Sequence, residues 1–189
     1  MVLTRLTHAL KGLPVIDMKE GRKFATFEDV MIDPKTLKPA ALITSKGNLL
    51  RHELKWIPGK NVKVWGKDAI LVDGLDLIQD EGEFSGPKTW LSVWDEVKGR
   101  TVISMEGTRI AQIADMFMDE AGNFVAYDLA QVYIDGPLAE TKRLDIGTTH
   151  SLGHDVLIVQ LPDEGQEGSQ EPREQEEEPE AVAEEMQHV

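Results

Sequence analysis

Apolar and polar residues alternate over short stretches along most of this chain, and turn-forming residues bound each stretch. Val15 to Met18, between Pro14 and Glu20-Gly21, predicts a short strand. Phe24 to Ile32 predicts a longer one that runs into Asp33-Pro34-Lys35-Thr36, a sequence suited to a type I turn. The apolar positions 24, 27, 30 and 32 slip phase once, which predicts a bulge; 24, 27 and 31 also fit one face of a helix, and the strand is preferred. Val62 to Trp65, the turn Gly66-Lys67-Asp68 and Ala69 to Val72 predict a hairpin. Trp90, Leu91, Trp94 and Val97 instead share one face of a short helix that Gly99 would stop, and they read as a plug between two packed units.

The same pattern occurs twice. Lys11-Gly12-Leu13-Pro14-Val15-Ile16-Asp17-Met18 lies over Lys98-Gly99-Arg100-Thr101-Val102-Ile103-Ser104-Met105, an offset of 87. After a one-residue gap Gly21 meets Gly107, Ala25 meets Ala111, Asp29 meets Asp115 and Asp33 meets Asp119. Trp65-Gly66-Lys67-Asp68-Ala69-Ile70-Leu71-Val72 lies over Leu152-Gly153-His154-Asp155-Val156-Leu157-Ile158-Val159, whereas the middles, 45–54 and 131–141, do not align. A period near 87 exceeds that of solenoid repeats and suits duplication of a whole small domain. Each copy would bury only about 60% of its unfolded surface, so the two are expected to pack together. The expected division is 1–76, a linker over 77–90, a second unit over 91–162 and a tail over 163–189.

Charge isolates the tail. Residues 163–189 hold eleven acids and one base, net −10, against −4 for the other 162 residues. Such a segment has too little apolar surface to offset its ordering entropy and is expected to be disordered. It reads as a solvating extension, or as a partner-binding segment in which Val182, Met186 and Val189 line up as one helical stripe. Without a cluster of Lys and Arg, direct nucleic-acid binding is disfavoured. The chain has no cysteine, which excludes disulfides, thiolate zinc sites and cysteine nucleophiles. No apolar run approaches the roughly 20 residues of a membrane span, and no secretory signal is evident, so a cytoplasmic protein is expected.

The run Lys-Gly-x-x-Val-Ile-x-Met, the Gly-led turn, the strand carrying Asp29 or Asp115, the Asp33-Pro34 turn, Trp56-Ile57-Pro58 and the terminal Gly-x-Asp hairpin resemble the PRC-barrel family. That family is named for the cytoplasmic domain of the photosynthetic reaction-centre H subunit and includes the C-terminal domain of the ribosome maturation factor RimM. The likeness covers residues 10–75 and, more weakly, 97–161. It implies a mainly β chain of two tandem small six-stranded barrels that bind protein partners and have no enzymatic activity. Two departures bear on function: the chain lacks the membrane helix of the H subunit and the N-terminal barrel of RimM. The second copy also carries Arg143-Leu144-Asp145 in place of Trp56-Ile57-Pro58.

Little points to catalysis. Gly59 to Asp68 superficially resembles a phosphate loop, but six residues separate its glycines and Asp stands where Ser or Thr would hold magnesium. His150 and His154 have i, i+4 spacing with Asp145 and Asp155 nearby, yet on a hairpin that spacing does not converge, so neither a metal nor a cofactor is assigned. Asp33 and Asp119 are expected to cap turns, and Asp29 and Asp115 to satisfy a turn from inside. Trp56 and Trp65 are weighed as protein-binding anchors against a role in the core. The expected function is a non-enzymatic adaptor. Three alternatives are a ribosome or RNA maturation factor like RimM, a factor peripheral to photosynthetic membranes, and a small-ligand or metal-binding protein.

Overall fold

A computed structural model describes residues 4–48, 51–73, 78–80 and 86–162; the acidic tail, and with it Val182 and Met186, lies outside the described residues. The chain is mainly β. After β1 (Thr4–Leu6) come β2 (Pro14–Asp17), β3 (Arg22–Asp33), β4 (Lys38–Asn48), β5 (Arg51–Pro58), β6 (Val62–Trp65), β7 (Ile70–Val72), β8 (Gln79–Asp80) and β9 (Leu91–Ser92). The second half contains β10 (Thr101–Ser104), β11 (Arg109–Asp119), β12 (Phe124–Val132), the short helix α1 (Pro137–Thr141), β13 (Arg143–Asp145), β14 (Thr149–Leu152) and β15 (Val156–Val159).

The strands form two sheets of matching order. The first runs β6-β7-β2-β3-β4-β5-β8 and the second β14-β15-β10-β11-β12-β13. Register repeats with the order. Val15 faces Ile70 across a parallel pair, as Val102 faces Leu157 at an offset of 87. Each sheet curls without closing its ladder: β5 and β6 are joined by the turn Gly59–Asn61 but are not neighbours in the hydrogen-bonded order. Pro58, at the end of β5, has no N–H to offer there.

The middles, which do not align in sequence, are built differently. β4 and β5 form a long hairpin paired from Ala41↔Pro58 to Asn48↔Arg51, whereas β12 leads through α1 into the three-residue β13. Arg143-Leu144-Asp145 nevertheless takes the place of the Trp56-Ile57-Pro58 strand end, because Leu144 faces Tyr127 as Ile57 faces Leu42.

The inner faces of both sheets share one apolar cluster. Phe27, Val30, Ile32, Leu42, Ile57 and Ile70 from the first join Val102, Ile110, Ile113, Met116, Tyr127 and Leu157 from the second. Neither unit alone encloses a large core, and joining them removes the facing surfaces from water. Tyr127 is fully buried with its hydroxyl 2.9 Å from Thr149 Oγ1; burial pushes that phenol up to about 12.

The helix expected to gather Trp90, Leu91, Trp94 and Val97 on one face does not form in that register. Leu91 and Ser92 are extended and pair with Ile32 and Met31 of β3, and only Val93–Val97 makes a helical turn, closed by Lys98 N–H to Val93 O at 2.9 Å. Ser92 fixes the start of the turn. Its hydroxyl accepts from Asp95 N–H at 2.9 Å while Glu96 Oε2 accepts from Ser92 N–H at 2.8 Å, a reciprocal cap that halts helix propagation toward Trp90. Val93 and Val97 enter the shared core, whereas Trp90 packs near Met31, Ala41 and Ile43 in a separate small cluster.

Candidate functional site

The chemistry-bearing side chains converge where the two units meet, and they do so by exchange. β1, which leads into the first unit, pairs with β11 of the second through Leu6↔Phe117 and Arg5↔Met118. β9, which leads into the second, pairs with β3 of the first. Each unit is therefore completed by a strand from the other.

Bulges aim one carboxylate of each unit into this junction. The β3–β4 register shifts between Phe27 and Asp29, and the β11–β12 register shifts between Ile113 and Asp115. The shift turns both aspartates inward among apolar neighbours. Asp29 Oδ1 accepts Val30 N–H at 2.7 Å, and Asp115 Oδ1 accepts Met116 N–H at 2.7 Å. The remaining bonds come from the exchanged segments. Ser92 Oγ donates to Asp29, with Trp94 N–H at 3.3 Å; Thr7 Oγ1 donates to Asp115, with His8 N–H at 3.1 Å. The turns expected to be satisfied by Asp29 and Asp115 thus belong in each case to the opposite unit. Burial pushes the Asp29 carboxyl up, against the pull of the Ser92, Val30 and Trp94 donors, and the Asp95 charge adds to the push.

Around this pair the two short helical turns touch. His8 Nδ1 lies 2.7 Å from Asp115 Oδ2, and the His8 ring meets Trp94 edge-on at 6.4 Å. Trp94 Nε1 donates to Thr7 Oγ1 at 3.3 Å, and the ammonium groups of Lys11 and Lys98 sit 4.8 and 4.9 Å from the Trp94 ring centre. Asp128, across the ladder from Asp115, is also pushed up by burial and by the Asp115 charge. These contacts serve to join the units: the carboxylates are consumed by fixed donors.

A second contact closes the junction at the far end of β6. The Trp65 indole packs edge-on against Phe27 at 6.3 Å and covers Gly122, where an added Cβ would overlap the ring nitrogen. Arg5 holds the same hairpin, donating to Gly66 O at 2.7 Å and Trp65 O at 3.3 Å.

Of the two tryptophans weighed as anchors, Trp65 is 5% exposed and belongs to the shared core. Trp56 is half-buried on β5 beside the Met31, Ala41 and Ile43 cluster. Asp33 and Asp119 do cap turns, accepting Lys35 N–H at 3.0 Å and Asn123 N–H at 2.7 Å. His150 and His154 are exposed, one on β14 and one in the following turn. Among the described residues no three His, Asp or Glu side chains gather to hold a metal ion, and no helix is long and apolar enough to cross a membrane. Sequence reasoning missed Thr7, His8, Ser92, Arg5 and Gly122. Extending the internal alignment upstream at the same offset sets Thr7 against Trp94 and Arg5 against Ser92, so the matching roles of the Thr7 and Ser92 hydroxyls are visible only in the fold.

No curated protein matches this chain. A family model does match part of it: residues 5–78, which hold the first sheet from β2 to β7, match the PRC-barrel domain.

Proposed function

We propose that this chain is a non-enzymatic interaction module made of two PRC-type barrels, the second copy diverged from the first, acting as an adaptor for protein partners. The observation that carries the reading is the PRC-barrel match over 5–78, joined to a second sheet that repeats its strand order and register. The inner faces are filled by packed side chains, and the buried carboxylates are consumed by fixed donors, so binding falls to the outer faces of the joined pair. Division of labour follows from the divergence: the β4–β5 hairpin of the first unit and the α1–β13 segment of the second are the regions that differ most, and they would set what each unit recognises.

The test is capture from native lysate on the full chain, with and without residues 163–189, with small ribosomal subunits and membrane vesicles as separate arms. Reproducible protein partners that survive removal of nucleic acid and membranes support the adaptor. Co-sedimentation with ribosomal subunits alone would favour the maturation-factor alternative, and recovery only with membranes would favour the peripheral one. Turnover of a small molecule, or capture of no macromolecule, would overturn the adaptor.

A further inference from the structure

Strand alternation leaves a row of apolar side chains on the outer face of the first unit. Val15, Ile70 and Val72 point into the shared core, so Ile16 and Leu71, which alternate with them, point outward and belong to neither apolar cluster. The ladders set these residues side by side: Val64 on β6 faces Leu71 on β7, Leu71 faces Ile16 on β2, and Ile16 faces Lys23 on β3. Ile16 and Leu71 are half-buried, whereas Val64 is 40% exposed and Met18, two positions beyond Ile16, is 51% exposed.

Cations frame this row. Lys23 ends it, Lys63 precedes Val64, Lys60 lies in the turn that leads into β6, and Lys19 follows Met18; all four are exposed. The nearby acids are already engaged, Asp73 Oδ1 by Lys19 Nζ at 3.2 Å and Glu20 Oε2 by Arg22 Nη2 at 3.0 Å. Among the described residues no carboxylate forms an ion pair with Lys23, Lys60 or Lys63. The second unit does not repeat this face. There Ser151 faces Ile158 as Val64 faces Leu71, His150 and Gly147 stand where Lys63 and Lys60 do, and Arg109, the counterpart of Lys23, is stacked on Tyr133 at 4.3 Å.

We propose that this face holds the acidic tail of the same chain, with Val182, Met186 and Val189 laid along the Val64–Leu71–Ile16 row and tail glutamates against Lys23, Lys60 and Lys63. The inference goes beyond the adaptor reading and stands without it. Complementarity is twofold: the tail carries net −10, and its three apolar residues recur at i, i+4, i+7, the spacing of one helical stripe, with Glu185 beside them. A phosphate would meet the lysines but offers nothing to the apolar row. Reach is sufficient, since the residues between Pro162 and Val182 extend to about 65 Å, against a radius of gyration of about 15 Å for a body of this size. Tethering also raises the local concentration of the tail, so a modest surface suffices to hold it.

The test uses the full chain. It has no cysteine, so Gln187→Cys accepts a single nitroxide next to Met186. The amide signals of Ile16, Met18, Lys23, Lys63, Val64 and Leu71 are expected to broaden, while those of Ile103, Ser151 and Ile158 stay sharp. Lys63→Glu, at an exposed position, should weaken docking about two- to fivefold through the lost charge contact. Met186→Glu, which alters only the tail, should weaken it further. Broadening that is absent, evenly spread or centred on the second unit overturns the proposal, as does broadening unchanged in both variants. Nitroxide-bearing chain mixed with isotope-labelled chain that lacks the nitroxide should broaden nothing; the same pattern there would make the contact one between copies and overturn docking within the chain. Protein partners captured without any broadening would leave the interaction module standing and overturn the docked tail. The expected broadening with no partner captured would overturn the module and support the docked tail.

Discussion

Asp29 and Ser92, 63 positions apart, share a buried hydrogen bond that joins the bulge of one unit to the helical turn that opens the other. Asp115 and Thr7, 108 positions apart, make the reciprocal bond. Breaking either leaves a buried carboxylate short of a donor. Ser92→Ala and Thr7→Val should each cost about 1.5–3 kcal/mol, the range for a hydrogen bond to a charged group. Urea unfolding at unchanged slope measures this, and a loss under about 0.5 kcal/mol in both variants would show the bonds to be incidental.

Exchange of β1 and β9 also ties the folding of each unit to the other. Fragments 1–80 and 86–189 each lack the strand and the hydroxyl donor that complete their sheet. Separately they should give no cooperative thermal transition by circular dichroism, and mixed in equal amounts they should recover strand content and co-elute. A sharp transition in either fragment alone contradicts this.

Gly122 carries a positive φ of 86° and lies beneath the Trp65 indole. Gly122→Ala should therefore destabilise by about 2–4 kcal/mol, the backbone contributing about 1–2 and the displaced indole the rest. In a Trp65→Leu background the same change should cost only the backbone part, a coupling that a double-mutant cycle measures. Equal costs in the two backgrounds would remove the indole from the account.

Burial raises the Asp29 carboxyl above its ordinary value of 3.8 in the folded chain, which makes a definite prediction for pH. A group whose folded-state value is raised stabilises the fold more in its neutral form than in its charged one, so the fold weakens as the group ionises. The loss begins near the unfolded value and is complete above the raised folded one. Asp29→Asn cannot ionise and keeps Oδ1 for Val30 N–H, but it puts an amide NH2 where Oδ2 accepts from Ser92 Oγ–H and Trp94 N–H. The stability gap between wild type and D29N should accordingly be widest near pH 4 and should narrow as pH rises to 7. Chemical denaturation at both values tests it; a gap that widens toward neutrality would mean that the donors outweigh burial.

The internal repeat, the strand-rich class, the hairpins at 62–72 and 149–159 and the bulge in β3 were all legible along the chain, because each depends on neighbours within a few residues or on a copied pattern. Leu91 was not. Its spacing with Trp94 and Val97 fits a helix, but the ladder to Ile32 and the Ser92 cap decide the backbone there, and both depend on partners distant in sequence. The roles of Asp29 and Asp115 were half legible: a buried acid among apolar residues implies a nearby donor, but not that the donor comes from the other unit.

Local alternation, turn chemistry and the repeated pattern thus determined by themselves β2, β3 and the two terminal hairpins. Tertiary structure alone decided that β1 and β9 cross over and that the Trp65 indole caps Gly122. The physical reason is that these outcomes depend on which apolar surfaces two half-sufficient units bury against each other, a matter of three-dimensional volume that no window along the chain records.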